Sequence, residues 1–370
     1  MKKIKILQVT GGLGVGGIEK LVTSFLEQVD LNKYSIDFLV YGNEIGEFEE
    51  KVKSFGAKII RIPKPGMRYY SFYNNLLKVL KKYGPYDIIH SHTLFNTGLV
   101  MRAAYKSNVK IRVAHSHDNL DNIRDDFFRK IYIKIMRKWI LKYSNVKCAC
   151  SSLAGNYLFG KEEFKKDGIV LYNGINIQNY LFNITARNRL NKEFDFDKDI
   201  IVGTIGRIEK QKNHMFLIKV AKMLPSNYKF IIVGDGNMKE KLIAEIRKEN
   251  LIDRFILTGT RNDIRDILST MDVFVLPSIH EGLGIVLIEA QANGLPCIVP
   301  TNIVPPEAKI LNSFMFVNYA DDLHLNEWVT AIIESSKICR EDRCLEKVRN
   351  AGYDYNDIGK NLEKIYSIVK

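Results

Sequence analysis

EGLGIVLIEAQANGLPCIVP, residues 281–300, is the stretch from which the fold can be read. It follows DVFVLPSIH (272–280), a short apolar run that reads as a buried strand ending at Pro277. Gly284 to Asn293 reads as a helix stopped by Gly294 and Pro296, and PCIVP leads into a further strand. Glu281 therefore sits in a loop, Gly282-Leu283-Gly284-Ile285, that opens a helix, and Glu289 lies about two turns along it. A loop of this kind turns unpaired amides and the positive end of a helix dipole toward an anion. Two acids eight positions apart on an exposed helix are common. The signal here is specific because acid, glycines, preceding strand and following strand all agree.

Outward from this segment the chain alternates strand and helix. IKILQVT (4–10), YSIDFLVYG (34–42), KIIRIP (58–63), YDIIHSH (86–92), KIRVAHSH (110–117), VKCACSS (146–152) and GIVLYNGI (168–175) are short apolar runs, most of them separated by helical patterns such as IEKLVTSFLEQV. A second series follows: DIIVGTIGR, YKFIIVGDG, RFILTGT, DVFVLPS and PCIVP, with HMFLIKVAKML as its first helix. This alternation predicts parallel sheets with crossover helices, hence two doubly wound α/β domains that meet between about residues 175 and 198.

Ligands of open parallel sheets bind at the carboxyl ends of the strands, and the chemistry-bearing residues fall there. GRIEKQKN (206–213) supplies Arg207 and Lys212 after the second domain's first strand. Gly234-Asp235-Gly236 and Gly259-Thr260 follow the next two strands. His90 and His92 end one strand of the first domain, and His115 and His117 end another. Each H-x-H pair shares a strand face and has metal-ligand spacing, yet no acid-rich cluster joins them, so structural hydrogen bonding is the expectation for His90 and His92 and no metal is expected. TGGLGVGGIEK (10–20) carries Gly11, Gly12, Gly14, Gly16 and Gly17 between a strand and a helix. Gly12, Gly14 and Gly17 satisfy a dinucleotide fingerprint, with Glu44 as the acid that pattern requires near the end of the next strand.

Taken together, Glu281-x7-Glu289 with its glycines, Arg207-x4-Lys212, the strand ending His117-Asp118 and the loop GG-x-G-x-GG-x-E resemble the retaining glycosyltransferases of GT-B type, family 4, over nearly the whole chain. The resemblance implies two Rossmann-like domains facing a cleft: residues 1–180 on the acceptor side, completed by a C-terminal helix at 355–370 that crosses back, and residues 181–354 binding a nucleotide sugar. It implies that Arg207 and Lys212 neutralise the donor diphosphate, whose charge grows as the glycosidic bond breaks. Gly16, Gly17, Gly234, Gly282, Leu283, Gly284, Ile285 and Glu289 would complete the donor site, with Glu281 and His117 as catalytic groups. His117 would hydrogen-bond the transferred sugar and stabilise positive charge on it; His115 is an additional histidine relative to the commonest pattern. No cofactor is implied, the nucleotide sugar being substrate, with UDP favoured over GDP. The acceptor expected is a lipid-linked saccharide in capsule or exopolysaccharide synthesis. No D-x-D stands where a metal-dependent transferase of the other main fold needs one; Asp195-Phe196-Asp197 lies in the linker. A nucleotide-sugar epimerase of the same fold and a non-catalytic sugar-nucleotide-binding protein are the alternatives.

Charge adds a possible partner. The formal net charge is +13, and residues 61–147, with 18 Lys or Arg against five Asp or Glu, carry all of it. Within that region RDDFFRKIYIKIMRKWILKY (124–143) interleaves cations with large apolar residues at helical spacing. It reads as a core-facing amphipathic helix with a solvated basic face, or as a surface resting on anionic lipid, with Phe127, Phe128, Ile131 and Trp139 inserting if they face outward. No nucleic-acid motif accompanies it, so nucleic acid is not an expected partner. The chain has 46% hydrophobic residues, no run long enough to span a bilayer, an N-terminus that reads as a strand instead of a signal peptide, and five cysteines without a C-x-x-C pair. These features predict an enzyme in the cytoplasm, peripheral on the inner face of the cell membrane, with reduced thiols.

Overall fold

The computed structural model describes residues 3–14, 17–65, 69–119, 127–196 and 198–368. The chain divides into two compact units, residues 1–174 with 355–370, and residues 175–354. The division falls six residues before the expected 180/181 boundary. The cause is local: Ile177 and Tyr180 are buried, and the Tyr180 hydroxyl donates to Glu289 at 2.7 Å, which ties this segment to the second unit.

The first unit holds β1 (Ile4–Val9), β2 (Tyr34–Tyr41), β3 (Ile59–Ile62), β4 (Ile88–Ser91), β5 (Ile111–Ser116), β6 (Val146–Ala149) and β7 (Gly168–Val170). They form one parallel sheet in the order β3-β2-β1-β4-β5-β6-β7. The second unit holds β8 (Ile200–Ile205), β9 (Tyr228–Val233), β10 (Phe255–Gly259), β11 (Val273–Val275), β12 (Cys297–Pro300) and β13 (Phe314–Val317), in the order β10-β9-β8-β11-β12-β13. Helices cover the faces of such sheets, so most strand positions are apolar, and β11 and β12 are buried along their whole length. β13, from FMFV, is the strand that the alternation of the sequence did not reveal. In each unit the order reverses between the first strand and its fourth-numbered neighbour, β1 beside β4 and β8 beside β11. That switch point opens a crevice beyond the carboxyl ends of those strands.

The C-terminal helix runs over Ile358–Ser367 and starts three residues after the expected 355 because Tyr355–Asp357 forms a 3-10 turn; residues 369 and 370 lie outside the described residues. Ile358, Leu362, Ile365 and Tyr366 are buried in the first unit's core, and Tyr366 meets Phe25 edge-on at 5.6 Å. Each of those aliphatic side chains contributes about 1.5–3 kcal/mol by leaving water. The last residues of the sequence thus complete the first fold.

Candidate active site

In the second unit the loop after β11 carries Glu281, and the helix after that loop carries Glu289. Ile285–Ala292 is the helix that follows, and Gly284 caps it at φ +76°, a left-handed conformation that glycine adopts without the penalty other residues incur. Leu283 is buried and fixes the loop from below, while Gly282, Gly284 and Ile285 keep partial exposure. The first turn of a helix has amides without intrahelical acceptors, and Gly284 and Ile285 stand at that end of this helix.

Glu281 is buried, and its Oε1 accepts from Ser278 Oγ at 2.7 Å and from Lys212 Nζ at 2.5 Å. The resemblance assigns Lys212 to the donor diphosphate and Glu281 to catalysis; the structure joins the two in one ion pair. Lys212 lies in a 3-10 turn, Lys210–Lys212, after β8. Its loop is held to the Glu281 loop by the Ile279 amide donating to Gln211 O at 2.8 Å and by Gln211 Nε2 donating to His280 O at 3.0 Å. His214 is buried next to this turn, and burial, then the Lys212 charge, hold its pKa down to about 4. Arg207 is exposed just after β8, 72% open along its side chain and 3.1 Å from Glu209. Glu289 is buried one face along the helix, where Tyr180 donates to it; burial and the Glu289 charge push the Tyr180 hydroxyl pKa up. Gly234 has φ +136°, and a Cβ there would stand 2.1 Å from Gly206 O, so the strand-end loops of β8 and β9 touch only because this position is glycine.

In the first unit the four histidines of β4 and β5 form one cluster. His90, His92 and His115 are buried; His117, one step beyond β5, keeps partial exposure. His92 Nδ1 lies 2.8 Å from His117 Nε2, and His90 Nε2 lies 3.0 Å from His115 Nδ1. Burial lowers all four, His90 and His117 to about 3. Ring nitrogens of His90, His92 and His115 come within 4.8 Å of one another, near enough for a metal ion. The His90 and His92 rings, however, stack with centroids 4.2 Å apart, and ring nitrogens of both meet hydrogen-bond partners within the protein. Gly17 begins the helix Gly17–Gln28 after β1, and Gly16 and Asp197 lie outside the described residues. Glu44, the acid of the dinucleotide pattern, is an exposed partner of Lys64.

The first half of the helix Phe127–Tyr143 settles the orientation of its apolar residues. Phe127, Phe128, Ile131 and Ile135 are exposed beside Lys130, Lys134 and Lys138, whereas Tyr132, Met136 and Ile140 face the core. Trp139 does not face out as an inserting residue would: it is half-buried beneath the Arg102 guanidinium, 4.4 Å from the ring centroid. No helix among the described residues is long and apolar enough to cross a membrane.

Ser278, Gln211, His214 and Tyr180 escaped the sequence reading. Gln211 is only an unspecified position of Arg207-x4-Lys212, the others stand outside the motifs, and Tyr180 reaches Glu289 across 109 positions.

This arrangement, two Rossmann-like units with a cation and a carboxylate at a strand-end loop and a second carboxylate on the helix it opens, is that of a GT-B glycosyltransferase. The sequence profile of Glycosyltransferase Family 4 matches residues 15–179, and that of Glycosyl transferases group 1 matches residues 186–346. The Bacillus subtilis protein EpsF is 30% identical over 98% of this chain and 96% of its own length. The UDP-Gal:alpha-D-GlcNAc-diphosphoundecaprenol alpha-1,3-galactosyltransferase of Escherichia coli is 31% identical over 79% of this chain and 76% of its own. The crystal structure of HepE of Anabaena in complex with UDP superposes with a TM-score of 0.79 at 17% identity, covering 99% of this chain and 100% of that one. The chain belongs to glycosyltransferase family 4.

Proposed function

We propose that the protein transfers a sugar, with retention of anomeric configuration and without a metal, from a UDP-sugar to a hydroxyl of a lipid-linked saccharide in surface polysaccharide synthesis. The observation that carries this reading is the Lys212–Glu281 pair beside the helix terminus at Gly284. A cation, a helix N-terminus and a carboxylate within one loop pair suit a sugar diphosphate, which offers anionic oxygens next to hydroxyls. Arg207 and Lys212 take the diphosphate together with the amides of Gly282–Ile285. Glu281 holds a hydroxyl of the transferred sugar, Glu289 the ribose diol, and His117 faces the sugar as it becomes cationic. The bond from the anomeric carbon to the diphosphate breaks, the acceptor oxygen attacks from the same face, and the departing phosphate oxygen takes the acceptor's proton. Fixed cations stabilise the growing negative charge without reorganising, the task a metal performs in other transferases.

UDP is favoured as carrier because HepE, of the same fold, was crystallised with UDP, and a lipid-linked acceptor because the E. coli relative is named for one. The stripe of Phe127, Phe128, Ile131 and Ile135 flanked by lysines suits an anionic bilayer surface, where an acceptor of that kind resides. The test is donor hydrolysis without acceptor across UDP-, GDP- and ADP-sugars, followed by proton NMR of the first-released anomer. Slow release of nucleoside diphosphate and the donor's own anomer are expected from one UDP-sugar. Inverted product, or turnover to an epimerised nucleotide sugar, overturns the reading.

A further inference from the structure

The histidine cluster is not symmetric, and its hydrogen bonds assign the protons. Gln8, on β1 and 1% exposed, donates through Nε2 to the Tyr366 hydroxyl at 3.1 Å. Its Oε1 is therefore the atom that faces His92 Nε2 at 2.9 Å, and a carbonyl oxygen can only accept. His92 Nε2 carries the hydrogen, so in the neutral ring Nδ1 is a lone pair. That lone pair lies 2.8 Å from His117 Nε2, which must donate to it. His117 Nδ1 is then left with a bare lone pair, shielded from water and without a partner among the described residues. The other branch ends with the opposite polarity. The Tyr366 hydroxyl, accepting from Gln8, donates to His90 Nδ1 at 2.9 Å; His90 Nε2–H donates to His115 Nδ1 at 3.0 Å. His115 Nε2–H remains, buried and likewise without a partner. The His115 and His117 rings lie 4.0 Å apart by centroid.

We propose that Gln8 and His92 are positioning residues that lock His117 in the Nε2–H tautomer, so that it meets a sugar hydroxyl through Nδ1 as a neutral hydrogen-bond acceptor. This rests on the reading that His117 faces the transferred sugar. The chemistry favours the arrangement. An imidazolium would oppose the positive charge that develops on the sugar, and an Nδ1–H tautomer would offer the hydroxyl a donor where it needs an acceptor. Burial keeps His92 and His117 neutral, so the tautomer is the one remaining variable. The C-terminal helix takes part through Tyr366, which holds the amide of Gln8 in the orientation the relay needs.

Long-range proton–nitrogen correlation spectra of the full-length protein with 15N-labelled histidine read this directly. His117 is expected to show a protonated Nε2 and an unprotonated Nδ1. Gln8→Met removes the acceptor: the His117 signals should move toward a tautomer mixture, and kcat should fall about tenfold while KM for the donor stays within twofold. Gln8→Glu restores an acceptor toward His92 and should recover the single tautomer and most of kcat. A protonated Nδ1 in the unmodified protein overturns the proposal whatever the variants do. So does a Gln8→Met protein with the native tautomer and native kcat, or a stoichiometric metal bound to the histidines as isolated. If no donor is ever turned over, the proposed transfer fails while the tautomer assignment still stands on its spectra.

Discussion

Replacing Lys212 by alanine separates a structural ion pair from a catalytic cation. The Lys212 and Glu281 side chains are 17% and 7% exposed and their charged atoms are 2.5 Å apart. Two unit charges at salt-bridge distance attract by about 4 kcal/mol at the effective dielectric of a protein surface, and removing one partner of a buried pair typically costs about 3–5 kcal/mol. Ser278 still donates to Glu281 in the variant, so the lower end, about 3 kcal/mol, is expected. Urea denaturation followed by circular dichroism measures it. The double variant Lys212→Ala/Glu281→Gln should regain about 1–2 kcal/mol of that loss, since no buried charge is then left alone. Catalysis should behave differently. UDP affinity, by calorimetry, should fall about 10–100-fold for one lost charged hydrogen bond, and turnover about 10²–10³-fold for a lost preorganised charge, neither being restored by Glu281→Gln. A stability loss with UDP affinity and kcat unchanged would refute the reasoning: the lysine would then serve only to neutralise Glu281.

Four further outcomes are expected. Activity should survive excess EDTA; complete loss that manganese or magnesium restores would return the His90, His92 and His115 cluster to consideration as a metal site. The protein should co-sediment with vesicles containing phosphatidylglycerol and be released by about 0.5 M salt, because each lysine near the surface contributes about 1 kcal/mol that screening removes; binding unchanged in a Lys130→Glu/Lys134→Glu variant would assign the stripe another role. Acid should destabilise the fold: His90, His117 and His214 have native pKa values near 3, 3 and 4 against 6.5 unfolded, so the unfolded chain binds more protons as pH falls below about 6.5, and stability is lost down through those native values. His214→Asn should flatten that dependence in denaturation curves at pH 7 and 5, and an unchanged slope would show that this ring does not contribute. Gly234→Ala should cost at least about 2 kcal/mol through strain and the clash with Gly206 O, against about 1 kcal/mol for Gly56→Ala, which also has positive φ but open space around it.

What the sequence determined by itself was whatever depends on neighbours along the chain. The alternation of apolar runs with amphipathic helices places twelve of the thirteen described strands, because parallel strands covered on both faces are mostly apolar. The glycine loop at 282–284 and the stop at Gly294 locate the helix Ile285–Ala292 to within a residue at each end, because caps are local chemistry. Strand-end positions follow from the same pattern, so Arg207, Lys212, Glu281, His92 and His117 are all found after strands. Which of these groups touch was decided only by the tertiary structure. Lys212 and Glu281 are 69 positions apart, Tyr180 and Glu289 are 109, and Gln8 and Tyr366 are 358. No periodicity records such pairs, since a hydrogen bond between distant segments depends on sheet order and helix packing. The same holds for the helix Phe127–Tyr143, where spacing alone allowed Trp139 and Phe127 to face the same way. Packing against the core and Arg102 keeps Trp139 half-buried and leaves Phe127 in solvent, because a helix buries only the stripe that its neighbours cover.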